Sequence, residues 1–209
     1  GYARALARVA AGGPLAGPAL ANPVSHSRWV PALIASAGRS LGFVSAHRYP
    51  YSACAPPGSH LSPTIARLLS ETATAGLANP LRRSVAIAHL AGLRFRLTEL
   101  NSVTCGGRAG VSNSFATALW APDALFELLR TGVDGVYLHV RSDAINAAFT
   151  ITKRGLGARP LLYGLIAFAQ TLGASPQRLV PARVTAAPAL ALKAWAVRGS
   201  GSGLHVLLI

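Results

Sequence analysis

Four times in succession, a short apolar run bounded by turn residues is followed by a stretch with helical spacing. The apolar runs are residues 14–20, 43–46, 93–98 and 135–140. Between and after them lie amphipathic segments: one through Trp29, Leu33 and Ile34; two short ones opening at Ser62-Pro63 and Asn79-Pro80; a long one over residues 113–130; and one from Arg159-Pro160 to Gly173. A further helical face, Tyr2, Leu6, Val9 and Ala10, precedes the first run and ends at Gly12-Gly13. Such alternation requires parallel strands joined by crossover helices. After Gly173 the period changes. Residues 178–185, 190–198 and 204–209 read as strands, with Gly199-Ser200-Gly201-Ser202-Gly203 as a hairpin loop, so an antiparallel β-rich domain is expected there. Four strand–helix units make half of an eight-fold barrel; a complete four-stranded doubly wound domain is the rival. The chain has no Met, and its last strand stops before any turn. Both favour the half barrel, with sequence missing at each end.

Composition removes several classes. At 209 residues and 51% hydrophobic content the chain can bury a core and is not disordered. The apolar runs are interrupted too often for a membrane span. The net charge of +14 invites nucleic acid, but the basic residues are scattered along helices and strand ends, and only Lys153 and Lys193 are lysines. No nucleic-acid partner is expected, although a basic cleft would suit an acidic glycan. Cys54 and Cys105 each follow a strand, on the same end of the fold. In a secreted protein they would pair, and in a cytosolic one they would be free thiols. His26, His60, His89 and His205 have no metal-ligand spacing, and Gly106-Gly107 with Gly110 is not a dinucleotide fingerprint, so no metal or cofactor is expected. Trp29, Trp120 and Trp195 read as core residues.

The six acids are Glu71, Glu99, Asp123, Glu127, Asp134 and Asp143, and Glu99 alone ends an apolar β-run. In a barrel, side chains that act on substrate stand at the C-terminal ends of strands. Those ends offer Asn22, then His47 and Tyr49, then Glu99 and Asn101, then His139. A carboxylate among hydrogen-bonding groups suits a retaining glycosidase, which needs a second carboxylate about 5–5.5 Å away. Glu99 could instead be a strand-end partner of Arg94 or Arg96.

The block Thr98-Glu99-Leu100-Asn101-Ser102-Val103-Thr104-Cys105-Gly106-Gly107, followed by Gly110-Val111-Ser112, Phe115 and Ala118-Leu119-Trp120, resembles the nucleophile region of glycoside hydrolase family 79, the β-glucuronidase and heparanase-like family. Gly17-Pro18-Ala19-Leu20 and His47-Arg48-Tyr49-Pro50 resemble its fifth and sixth barrel strands, and Gly132-Val133-Asp134-Gly135-Val136-Tyr137-Leu138-His139 its eighth. Arg159-Pro160-Leu161-Leu162-Tyr163-Gly164 resembles its last barrel helix.

The resemblance implies the C-terminal half of a (β/α)8 TIM barrel over residues 1–173 and the first strands of a β-sandwich domain over 174–209. It implies a secreted enzyme releasing β-linked glucuronic acid, or a 4-O-methyl derivative, from glycans, with Glu99 as nucleophile. The acid/base glutamate would precede Gly1, so the segment alone would be inactive. Tyr49 is either a loop aromatic or a hydroxyl donor to the nucleophile or the sugar, His139 is either a core histidine or a partner of the sugar or of Glu99, and in the resemblance Thr104 and Gly106 would approach the uronate carboxylate. Asn101 is expected to order its loop. On neighbouring barrel strands, the sixth and seventh, Cys54 and Cys105 are expected to form a disulfide between two rim loops. The rival function is a non-catalytic glycan-binding or structural remnant.

Overall fold

The computed structural model describes residues 2–9, 13–141, 144–173, 177–185, 191–199 and 203–209. In chain order the elements are α1 (Tyr2–Val9), β1 (Leu15–Leu20), α2 (Trp29–Ala37), β2 (Leu41–Arg48), β3 (Tyr51–Ser52), α3 (Ile65–Leu68), α4 (Ala75–Ala78), α5 (Arg82–Leu90), β4 (Arg94–Leu100), β5 (Val103–Thr104) and α6 (Phe115–Thr131). They continue with β6 (Gly135–Leu138), β7 (Phe149–Thr152), β8 (Gly155–Ala158), α7 (Pro160–Leu172), β9 (Arg178–Val180), β10 (Ala194–Arg198) and β11 (Leu204–Leu208).

The four expected strands form one parallel sheet in the order β1-β2-β4-β6. Sequential order with a helix between neighbours is the arrangement that the alternation requires. Val44, Ala46, Phe95, Leu97 and Leu100 are fully buried from the sheet, and Val30, Leu77, Leu81, Val85, Ala88 and Trp120 bury against them from the helices. The ladder slips near the C-terminal strand ends, between Ala46 and His47 and between Leu97 and Leu100. Irregularities of this kind re-aim side chains, and here they fall where the polar rim begins.

Helix α6 carries Pro122 in its interior. Proline has no N–H to give to the carbonyl of Ala118. Helix α7 brings Gly164 against that carbonyl: a Cβ at Gly164 would lie 2.5 Å from the Ala118 oxygen. The two helices therefore pack closely where one lacks an N–H and the other lacks a side chain. Gly132 ends α6 in the left-handed conformation, at φ 93°, as C-terminal glycines do.

Beyond α7 stands a three-stranded antiparallel sheet in the order β11-β10-β9. It packs on α6 and α7 through a second core of Phe126, Trp195 and Val197, with Phe168, Leu172 and Leu207 beside them. Trp195 stacks on Phe126 at 5.3 Å between centroids.

Several local expectations are corrected. The strand expected over residues 178–185 stops at Val180 because Pro181 follows, and proline cannot continue a ladder. Thr64, not Ser62, caps α3, its hydroxyl accepting the Arg67 N–H at 3.2 Å. The residue before α2 is Arg28, with no side-chain cap; Ser27 contributes its carbonyl, to Val30. Trp29 is not core: it is half exposed and meets the His26 ring edge-on. Leu6 and Val9 of α1 are also exposed, whereas Trp120 and Trp195 are buried. Strands β7 and β8 pair as an antiparallel hairpin. The expectations for Ala10, Gly12, Leu190 and residues 200–202 lie outside the described residues. Among the described residues, no helix is long and apolar enough to cross a membrane.

Candidate active site

Strand β4 ends by delivering Glu99 to the C-terminal rim of the sheet. Its neighbours converge on the carboxylate from both sides. Tyr49, one residue past β2, donates its hydroxyl to Oε2 at 2.9 Å. His47 of β2 places Nδ1 3.5 Å from the same oxygen. His139, one residue past β6, places Nδ1 3.7 Å from Oε1. Burial, then the bond to the Glu99 carboxylate, pushes the Tyr49 phenol far above its ordinary pKa. The hydroxyl thus keeps its proton at neutral pH and remains a donor. The carboxylate is about one-third exposed at 31%, so it is held in place yet open to the outside. Of the rival partners, Arg96 donates instead to the Tyr137 hydroxyl at 3.1 Å.

The loops above this floor are built from short-range polar chemistry. Strands β3 and β5 pair in parallel just beyond the main sheet, and Cys54 and Cys105 are joined by a disulfide with their Cα atoms 6.0 Å apart. Cys105, Gly106 and Gly107 take φ of 59°, 84° and 92° in succession. Glycine adopts these angles freely, while a cysteine there costs energy; the disulfide holds that end of the turn. A Cβ on Gly107 would lie 2.9 Å from Ile145 and 3.1 Å from both Asn146 and Ser112, so glycine is also required there for space. Thr104 lines the site, but its hydroxyl accepts the Cys105 N–H at 2.6 Å.

Asn101 is fully buried. Its amide donates to the carbonyls of His139 and Asn146 at 3.0 and 2.9 Å, and its oxygen accepts the Ser102 N–H at 2.7 Å. Asn146 in turn donates to the carbonyl of Val103 at 2.8 Å. These bonds tie the loop after β4 to the loop after β6. Asn101 orders the loop, as expected from sequence. Asn22 is spent on a turn, accepting from His26 and Ser25.

The result is a cavity of about 420 Å³ lined by Tyr49, Glu99, Thr104, Gly106, His139 and, beyond the expected set, Arg141, Ala144 and Asn146, with the disulfide on its wall. Sequence reading missed Arg141 and Asn146. A signal existed for Arg141, two positions past His139 at a strand end, but the loop that holds both residues has no periodicity. Among the described residues, no group of three or more His, Cys, Asp or Glu could hold a metal ion.

The disulfide closes a loop of 51 residues in sequence separation, so its removal has a calculable effect. Cys54→Ser with Cys105→Ser is expected to destabilise the fold by about 4 kcal/mol through freedom regained by the unfolded chain. Thermal unfolding of the double variant against the oxidised parent measures it, and an unchanged midpoint would refute the expectation.

Three solved structures that share this fold are glycoside hydrolases. A 4-O-α-L-rhamnosyl-β-D-glucuronidase from Fusarium oxysporum 12S, solved with Rha-GlcA, superposes with a TM-score of 0.68 at 20% identity, over 86% of this chain and 37% of that one. AbfB, a family 51 α-L-arabinofuranosidase from Bifidobacterium longum, gives 0.56 at 16% identity over 93% and 44%. A monomeric β-xylosidase from Caulobacter crescentus CB15 gives 0.51 at 20% identity over 95% and 39%. The chain thus has a mixed α/β fold shared with part of a glycosidase barrel, and it spans well under half the length of these enzymes. No family model and no curated protein sequence matches it.

Proposed function

We propose that this chain carries the nucleophile of a retaining glycoside hydrolase that releases β-linked glucuronic acid, or a 4-O-methyl derivative, from glycans, in the manner of family 79. The observation that carries the reading is Glu99: a partly exposed carboxylate at a strand end, held by Tyr49 at 2.9 Å over an open cavity. Glu99 attacks the anomeric carbon and the leaving oxygen departs, giving a glycosyl-enzyme ester that water then cleaves. The hydrogen bond from Tyr49 fixes one carboxylate oxygen and leaves the other for attack. Glu99 is the one carboxylate among the described residues lining the cavity; a retaining mechanism also needs a second carboxylic acid to deliver a proton to the leaving oxygen. The resemblance in the Glu99 block supports the uronide substrate, as does the glucuronidase named among the structures that share the fold. The disulfide supports an extracellular location.

The test is hydrolysis of an aryl β-glucuronide by the full-length protein, with the product's anomeric configuration followed by NMR. The expected first product is the β-anomer. An α-anomer would exclude a retaining mechanism, and no hydrolysis would favour a non-catalytic glycan-binding role.

A further inference from the structure

We propose that Arg141 reads the carboxylate of the sugar bound over Glu99 and so sets the preference for a uronide over its neutral counterpart; the inference rests on the uronidase reading above. Three observations lead to it. First, Arg141 lines the same cavity as Glu99 and is the one Lys or Arg among the described residues that line it. Second, it sits on the loop leaving β6, directly across the disulfide turn: its Nη2 lies 3.6 Å from where a Cβ on Gly106 would stand. The guanidinium thus stands at the cavity wall, within ordinary contact distance of the glycine turn. Third, loop placement is fixed from below by Asn101, which bonds the carbonyls of His139 and Asn146 on either side of Arg141.

The electrostatics give the arrangement its meaning. A uronate entering this cavity brings a second negative charge towards the Glu99 carboxylate, in surroundings less polar than water. Like charges in such a place repel strongly, and a neutral sugar meets no such opposition. A fixed cation on the wall reverses that preference. Arginine suits the task because its planar fork can take both carboxylate oxygens and is never deprotonated. Arg141 already has a partner within the fold; with five N–H donors, it can take a carboxylate beside that partner or in exchange for it. Tyr49, His139 and Thr104 also line the cavity, but none of them carries a permanent positive charge.

The experiment compares two substrates that differ only at C6, an aryl β-glucuronide and the matching aryl β-glucoside, in the full-length protein. Arg141→Gln is expected to lower kcat/KM on the glucuronide by about 100-fold, mostly through KM, and to change the glucoside value by less than about 3-fold. Arg141→Lys is expected to recover part of the loss on the glucuronide alone. Equal losses on both substrates would mean that Arg141 only shapes the loop, and would overturn the proposal. A wild-type preference for the glucuronide that survives in Arg141→Gln would overturn it while leaving the uronidase reading intact. A wild-type protein that favours the glucoside, or cleaves neither, would overturn both.

Discussion

Glu99→Gln is expected to lower kcat on an aryl β-glucuronide by on the order of 10⁴-fold or more, because an amide is a poor nucleophile towards the anomeric carbon. The fold should tolerate the change. The Gln carbonyl can still accept the Tyr49 hydroxyl, which is now 2.9 Å from Oε2, and the site is open enough for water to satisfy the amide. The unfolding midpoint should therefore move by no more than a few degrees. Steady-state kinetics and thermal unfolding of parent and variant check both halves. Turnover at the parental rate would sink the assignment of Glu99, whatever the stability.

A second large effect, this time on stability, is expected at Lys193. Its ammonium is 3.0 Å from Glu71, 2.9 Å from Asp123 and 2.8 Å from Glu127. Glu127 is fully buried and also pairs with Arg130, and Asp123 accepts the Trp195 indole N–H at 2.8 Å. Burial pushes the Asp123 carboxyl above its ordinary pKa against the pull of Lys193. For Lys193 burial works downwards, but the carboxylates outweigh it and hold the amine above its usual range. Lys193→Met removes the shared cation and leaves crowded carboxylates with Arg130 alone beside them. The expected loss is about 3 kcal/mol, or roughly 6–12 °C in midpoint for a chain of this size. Adding Glu127→Gln should restore part of it, since one uncompensated charge is then gone. Chemical unfolding of the three proteins decides the matter. A Lys193→Met variant within 0.5 kcal/mol of the parent, roughly the scatter of surface substitutions, would show that the cluster contributes little.

The contrast between these two places shows what could be read from sequence. Glu99 was legible because a strand has a period of two and an end, and its end names the residues on the rim. Tyr49 and His139 follow by the same rule from β2 and β6, and the structure brings all three together. The Lys193 cluster obeys no local rule. Its partners lie 122, 70 and 66 residues away in sequence, so only the tertiary fold joins them. One hint was present: Asp123 and Glu127 stand four apart on one helical face, a spacing that places side chains together. The helix start expected at Ser62 has a similar origin: Ser62 and Thr64 could each cap α3, and the neighbouring backbone decided for Thr64.

The positions of the carboxylates have a consequence for the molecule in solution. Glu71, Asp123 and Glu127 answer Lys193, Asp134 accepts the Phe95 N–H and meets His89, and Glu99 is held by Tyr49. Each of these five described acids has a task inside the architecture, in a chain where basic residues outnumber acids by 20 to 6. The excess of positive charge on this chain, +14, is therefore left for dissolved anions to neutralise. That cloud is compact in physiological salt and spreads as the solution is diluted, so this chain should be colloidally most self-repelling, and most adherent to anionic matrices, at low ionic strength.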